Sequence, residues 1–128
     1  MHALWLTVPS LAATPVTVAL QGGTQLTILA RPQAADVALA DWIDLGSADD
    51  PLDLPGAGHL LEHLAVDAGS PVGLEAQLAD WGGAVSAFTG TDYTRFNVRV
   101  LPPALPTALS ALAARTLELS VTPPAHAR

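Results

Sequence analysis

Two histidines and one glutamate lie within five consecutive residues, His59, Glu62 and His63, in the order H-x-x-E-H. On a helix, residues four positions apart lie on the same face, so both imidazoles can bind one metal ion. Glu62 lies beside them, where its carboxylate can accept a proton from a metal-bound water. The motif therefore predicts a hydrolytic metal centre with His59 and His63 as ligands and Glu62 as general base. The alternative is a surface helix on which these residues have no joint role.

A catalytic zinc site ordinarily has three protein ligands, so the two histidines need a third. Asp67 continues the four-residue spacing, but it lies about 12 Å along a helix from His59, too far to share one ion. Glu75 falls on the next predicted helix, where an exposed residue or a partner of the ligands is favoured over a metal ligand. Glu118, late on the last predicted helix, is better explained as a solvated helix end.

The strands that must position the motif are predicted from alternating and β-rich runs. They span residues 4–8, 17–20, 25–30, 37–45, 84–88 and 94–101. Gly22 and Gly23 join the second and third as a hairpin. The fourth is an apolar run that predicts a strand buried on both faces, with Trp42 and Ile43 in the core. In the last strand apolar and polar residues alternate, which predicts one covered face and one polar face.

Three helices are predicted, and the first carries the metal motif. They span residues 56–68 and 70–81, with a last helix that begins at the prolines 102, 103 and 106. Ser70 and Pro71 are a suitable N-cap and first-turn pair for the second helix. The predicted core-facing stripes are Leu60, Leu61, Leu64 and Ala65 in the first helix, Leu74, Leu78 and Trp81 in the second, and Leu105, Leu109 and Leu112 in the last.

Several segments, together with the H-x-x-E-H motif, resemble the pitrilysin/insulinase family of inverzincin metallopeptidases. They are the glycine turn at residues 21–28, the loop at 46–51, the glycines at 55–58 that precede the motif, and the stretch at 82–94. In that stretch Ser86 stands where the family usually has asparagine, whereas Ala87, Thr89, Asp92 and Thr94 fall where expected. The likeness covers nearly the whole chain.

The resemblance implies a fold, a cofactor and an activity. The fold is α+β, a mostly antiparallel sheet with helices packed on one face, as in LuxS/mitochondrial processing peptidase-like metalloenzymes. The implied activity is that of a zinc metalloendopeptidase, with zinc bound by His59 and His63 and with Glu62 as general base. The family's third ligand, a glutamate, falls beyond residue 128. Residues 1–128 are therefore expected to be a single, incomplete peptidase domain with little or no activity alone.

The resemblance also implies how peptide and partner chains bind. Ser86, Ala87, Phe88 and Thr89 correspond to the family's edge strand, to which substrate adds as an extra strand. Main-chain groups on such an edge recognise peptides with little dependence on side chains; an ordinary sheet strand is the alternative. The family faces related domains across a chamber, which implies a homo-oligomer or pairing with a related peptidase-domain chain. The alternative function is a non-catalytic relative that serves as an assembly or substrate-clasping subunit.

Composition and charge restrict the partners and the location. The chain has 128 residues, half of them hydrophobic, which is enough for one core in one domain. A net charge of −7 argues against nucleic acid or an anionic membrane as partner. With no cysteine, disulfides and thiolate metal sites are excluded. The apolar first twenty residues are predicted as strand rather than signal peptide, and a cytoplasmic location is expected over a periplasmic one.

Overall fold

The computed structural model describes residues 13–67 and 73–117, which belong to two compact units divided after Ala34. Its elements in chain order are β1 Val16–Ala19, β2 Gln25–Ile28, β3 Val37–Ile43, α1 Ala57–Asp67, α2 Leu74–Leu78, β4 Ala84–Thr89, β5 Thr94–Val100 and α3 Leu105–Leu117. The predictions for residues 4–8, for Ser70 and Pro71, and for Glu118 fall outside these ranges. No helix in the described ranges is long and apolar enough to cross a membrane.

The first unit contains the predicted hairpin, which is confirmed. β1 and β2 pair antiparallel, with Val16 opposite Ile28 and Ala19 opposite Gln25. The connection is a short 3₁₀ turn in which Gly22 and Gly23 have φ of 81° and 88°. Residues with a Cβ rarely adopt this left-handed conformation, so the two glycines allow the chain to reverse here.

The second unit is an antiparallel sheet with its helices on one face, so the α+β prediction is confirmed. The strand order is β3-β5-β4, and β5 lies in the middle with Val98 opposite both Leu39 and Val85. The predicted alternation of β5 holds, because Phe96, Val98 and Val100 are buried. They pack with helix residues in one core, whose other buried members are Ala65, Leu74, Leu78, Ala104, Ala108 and Leu112.

The prediction that β3 is buried on both faces is wrong. Its side chains alternate between half-buried and exposed, and Trp42 is 56% exposed on the face away from the helices. Ile43 packs against the core as predicted. The Trp42 ring lies 4.9 Å from that of Tyr93, and the Arg95 guanidinium lies 5.0 Å from its centre. Trp42 therefore packs against neighbours on the sheet surface, since the helices that the structure describes in this unit lie on the opposite face.

The predicted stripe of α1 is partly wrong. Leu64 and Ala65 are buried as expected, but Leu60 and Leu61 are 50% and 40% exposed, and Gly58 and Glu62 are buried instead. Glu62 therefore faces the sheet where the two leucines were expected. Glutamate is rarely buried, so the sequence alone did not predict this.

The other two helices also differ from their predicted stripes. In α2 Leu74 and Leu78 are fully buried, but Trp81 is 42% exposed. The helix tightens to a 3₁₀ turn at Ala79–Trp81 and ends at Gly82, which changes the direction of that last side chain. In α3 Leu112 is buried and Leu109 is 45% exposed. Two alanines are fully buried in the core instead, Ala104 in the 3₁₀ turn just before α3 and Ala108 on α3.

Candidate active site

The two histidines of α1 bring their ring nitrogens together on an exposed face of the helix. The Nε2 atoms of His59 and His63 lie 3.2 Å apart, and the ring centroids lie 4.7 Å apart. Two Zn–N bonds of roughly 2.0–2.1 Å at a tetrahedral angle place their nitrogens about 3.3 Å apart. The pair therefore fits a shared zinc ion. Both rings are exposed, so a bound ion would be open to water and substrate.

Glu62 lies next to the two histidines on α1, but its side chain faces the sheet instead of solvent. It is only 8% exposed. The hydroxyl of Thr89, the last residue of β4, donates a hydrogen bond of 2.5 Å to its Oε2 atom. Among the residues that the structure describes, this is the one hydrogen bond made by the Glu62 carboxylate. Oε1 remains available to accept a proton or a further hydrogen bond.

A cavity of about 160 Å³ borders Glu62 on the inside of the unit. Its walls come from the sheet, from α1 and from α3, and they include Ile43, Leu61, Phe96 and Arg115. These surroundings are mostly apolar, and besides Glu62 their polar side chains are Thr94 and Arg115.

Asp50 fixes the start of α1. Its carboxylate accepts hydrogen bonds from the backbone N–H groups of Gly56, at 2.6 Å, and Gly58, at 2.7 Å. These N–H groups have no partner within the helix, and a negative charge at a helix N-terminus is favourable. Gly58 lies so close that an added Cβ would be 3.3 Å from Asp50 Oδ1. His59 is the next residue, so the cap helps to fix the position of the first proposed metal ligand.

The loop that carries Asp50 is tied to the β4–β5 turn. Ser47 N–H donates to the Gly90 carbonyl and Ala48 N–H donates to the Thr91 carbonyl, each at 2.9 Å. Gly46 is required at this crossing, because an added Cβ would lie 2.3 Å from the Thr91 carbonyl oxygen. We call these contacts the loop clasp, because they join the segment before α1 to the turn that follows Thr89.

Arg115 on α3 fixes the opposite end of α1. It is 3% exposed, and its guanidinium donates to the carbonyls of Ala65, at 3.3 Å, and Val66, at 3.5 Å. Carbonyls in the last turn of a helix lack partners within it, and a cation there is favourable. Burial lowers the pKa of Arg115 below its ordinary value, and the carboxylate of Asp67 offsets part of that effect.

The residues predicted for the substrate strand divide between the two faces of β4. The exposed face carries Ser86, whose Oγ accepts from the Asn97 side chain at 3.2 Å, and Phe88, which is 50% exposed. Ala87 and Thr89 point to the helix side, and α1 packs against this strand. β4 lies at one edge of the three-stranded sheet, with β5 as its only partner among the described strands. Among the described contacts of these four residues, Thr89 makes the side-chain hydrogen bond to the motif.

No third ligand joins the two histidines within residues 13–67 and 73–117, where no three His, Asp or Glu side chains form a metal-binding group. Asp67 and Glu75 are exposed. The sequence interpretation missed the contacts of Asp50 and Arg115. A lone cation on an otherwise apolar helix was a usable signal for Arg115, and an aspartate before the glycines at 56 and 58 was one for Asp50.

Comparison with known proteins gives the family. A sequence model described as insulinase (peptidase family M16) matches residues 26–128. A zinc protease of Mycobacterium tuberculosis is 30% identical over 108 residues, 82% of this chain and 25% of that protein. A probable mitochondrial-processing peptidase subunit beta of Arabidopsis thaliana is 29% identical over 111 residues, 84% of this chain and 20% of that protein.

The fold of pitrilysin also matches, with a TM-score of 0.74 and 28% identity over 80% of this chain and 11% of pitrilysin. The chain thus spans a quarter or less of the length of these three proteins. Since the family match covers most of the chain and includes the H-x-x-E-H motif, the chain belongs to the insulinase family of peptidases.

Proposed function

We propose that this chain carries two zinc ligands, His59 and His63, and the general base, Glu62, of a zinc-dependent endopeptidase. The observation that carries the proposal is the 3.2 Å separation of the two Nε2 atoms beside a buried glutamate on the same helix. A surface helix with unrelated residues gives no reason for two imidazoles to meet or for a carboxylate to be buried. The third ligand is proposed to lie beyond residue 128.

The residues have separate tasks in the proposed hydrolysis. A bound zinc ion would supply Lewis acidity, which makes water a better nucleophile and polarises the scissile carbonyl. Glu62 accepts a proton from the attacking water as the oxygen adds to the carbonyl carbon. Glu62 then donates that proton to the leaving amine nitrogen as the C–N bond breaks. His59 and His63 would hold the zinc ion, and their exposed face leaves room for substrate to approach.

Peptide is the proposed substrate class, bound as an added strand along β4. Among the described strands β4 is paired on one side only, and its other edge can present main-chain N–H and C=O groups to an extended peptide. Its inner face packs against α1, so a strand on that edge would lie beside the helix that carries the motif. Ser86, Ala87, Phe88 and Thr89 would then act through their backbone, and the exposed Phe88 ring can contact a substrate side chain.

The test is substitution of Glu62 by glutamine in the intact protein. Glu62→Gln keeps the size and the Thr89 contact but cannot accept the proton of the attacking water, so we expect zinc to stay bound and cleavage to be lost. Cleavage of an unstructured peptide, with zinc content measured in parallel, is the readout. Glu75→Gln is the matched control, because Glu75 is exposed on α2. Near wild-type cleavage by Glu62→Gln would identify another base.

A second candidate is a non-catalytic partner subunit that assembles with a related peptidase-domain chain. It is favoured by the absence of a third metal ligand within the described ranges. The relative from Arabidopsis thaliana is named as a subunit, which supports pairing of related chains. The same assay separates the candidates. A partner subunit has no activity of its own that Glu62→Gln can remove, and peptide is cleaved only by its assembly with the other chain.

A further inference from the structure

The side chain of Thr89 is directed at the general base and away from any peptide on the β4 edge. Its hydroxyl donates to Glu62 Oε2 at 2.5 Å, whereas its neighbours on β4 make no such contact. The acceptor is a carboxylate, and hydrogen bonds to ionised groups are shorter and stronger than those between neutral groups. The contact joins residues 27 positions apart in sequence, so it is made only when α1 packs against β4.

We propose that Thr89 is a positioning residue whose hydroxyl fixes the Glu62 carboxylate in the orientation that the hydrolysis requires; this inference rests on the proposed function. A glutamate side chain has three rotatable bonds, and its backbone on α1 fixes only one end. The bond from Thr89 fixes the other end at Oε2 and leaves Oε1 to receive the proton. Threonine suits this task because its branched Cβ restricts χ1.

Thr89 is itself held from two sides. It pairs with Thr94 across the β4–β5 ladder, and the next residue, Gly90, donates its N–H to the Tyr93 carbonyl at 2.8 Å. The loop clasp then connects Gly90 and Thr91 to the segment that leads into α1. The strand proposed to bind the peptide therefore also holds the base, which fixes the base relative to the bound backbone.

The test compares two substitutions at one position in the intact protein. Thr89→Val keeps the shape and removes the hydroxyl, whereas Thr89→Ser keeps a hydroxyl. For Thr89→Val we expect kcat to fall about tenfold to a hundredfold, as for other residues that orient catalytic groups, with KM changed less than about threefold and zinc content unchanged. Thr89→Ser is expected to restore most of kcat. Equal losses of kcat in both variants would overturn the role of the hydroxyl, and a rise in KM alone would assign Thr89 to substrate binding.

A second readout does not require activity. Urea unfolding of wild type, Thr89→Val, Glu62→Leu and the double variant forms a cycle that measures the coupling between the two side chains. We expect the double variant to shift the unfolding midpoint by clearly less than the sum of the single shifts, because each single change leaves a buried polar group without its partner. Ser86→Ala is the matched control. It removes a β4 hydroxyl on the opposite face of the strand, which accepts from the Asn97 side chain at 3.2 Å, so its effect should add to that of Glu62→Leu.

The two readouts separate this inference from the proposed function. Coupling together with a loss of kcat supports the positioning role. Additive shifts with unchanged kcat in Thr89→Val overturn it, even where Glu62→Gln is inactive and the peptidase proposal stands. Coupling in a protein that cleaves no peptide overturns the peptidase proposal and the positioning role with it, and leaves Thr89 as a structural partner of Glu62.

Discussion

His59, Glu62 and His63 share two turns of one helix, yet their side chains meet different surroundings. The imidazoles are exposed, and the carboxylate is buried against the sheet. The spacing alone predicted that the histidines share a face, because residues four apart on a helix lie one above the other. The burial of Glu62 was not predictable in the same way. It depends on a partner from a strand 27 residues later, and buried carboxylates are rare without a partner.

Zinc binding is predicted to depend on the two histidines even in the 128-residue chain. Two imidazole ligands bind zinc more weakly than a complete three-ligand site, so we expect detectable but weak uptake that is lost in the double variant His59→Ala/His63→Ala. Equilibrium dialysis against zinc at neutral pH is the measurement. The control is His2→Ala/His126→Ala, which removes the same number of imidazoles outside the motif. Equal uptake by all three proteins would contradict the assignment of the ligands.

At the scale of elements, α1 is held at each end by a charge of the favourable sign. The Asp50 carboxylate caps its N-terminus and the Arg115 guanidinium caps its C-terminus, which complements the helix macrodipole. An isolated helix of 11 residues is marginal in water, so these contacts and its packing against β4 must supply its stability. By fixing α1, these contacts also fix the backbone of His59, Glu62 and His63.

We predict that Asp50→Ala lowers the free energy of unfolding by about 1 kcal/mol, the ordinary cost of removing a helix N-cap. Urea unfolding followed by circular dichroism measures the change. Asp50→Asn should lower the free energy of unfolding by less, because the amide oxygen can still accept a hydrogen bond from one of the two N–H groups. Asp53→Ala is the control, since Asp53 is exposed in the same loop and makes no side-chain hydrogen bond among the described residues. Equal stability of Asp50→Ala and Asp53→Ala would show that the cap contributes little.

The sequence predicted the elements better than it predicted their faces. The strand β5 was found from alternation, because a face covered by helices requires an apolar residue at every second position. Trp42 and Trp81 were wrongly placed in the core, since large apolar side chains are usually buried but can also cover the surface of a sheet or the end of a helix. In α3 the core contains Ala108, whereas the predicted core residue Leu109 is exposed. The periodicity of apolar residues does not show how closely a helix packs against its neighbours.

At the scale of the molecule, the candidate site is built from segments that are distant in sequence. The loop clasp, β4, α1 and α3 converge on Glu62 and its neighbours, and only the H-x-x-E-H motif is continuous in the chain. The local motif and the helix that carries it were therefore predictable from the sequence. The contact between Thr89 and Glu62 depends on tertiary packing and was not, whereas Asp50 and Arg115 each had a signal in the sequence that was missed. The third zinc ligand and the partner chain remain predictions that follow from the family.

The apolar side chains on the outer face of the sheet lead to a prediction about assembly. Trp42 on β3 and Phe88 on β4 are 56% and 50% exposed, and both lie near the ring of Tyr93. Within the described part of the second unit, no element covers this cluster of aromatic rings, and such a cluster is commonly closed by another chain or another copy. We therefore expect the 128-residue chain to form dimers or larger assemblies at micromolar concentration.

Light scattering coupled to size exclusion measures this directly, since the monomer mass is 13.1 kDa. The variant Trp42→Thr/Phe88→Thr removes the aromatic surface and keeps residues that suit a strand, so it should shift the population toward the monomer. Leu109→Gln is the control, because Leu109 is 45% exposed on α3, an element on the opposite side of the sheet. If Leu109→Gln dissociates the assemblies and Trp42→Thr/Phe88→Thr does not, the chains associate through the helix layer. A wild-type chain that stays monomeric at every concentration would mean that the aromatic face is stable in water without a partner.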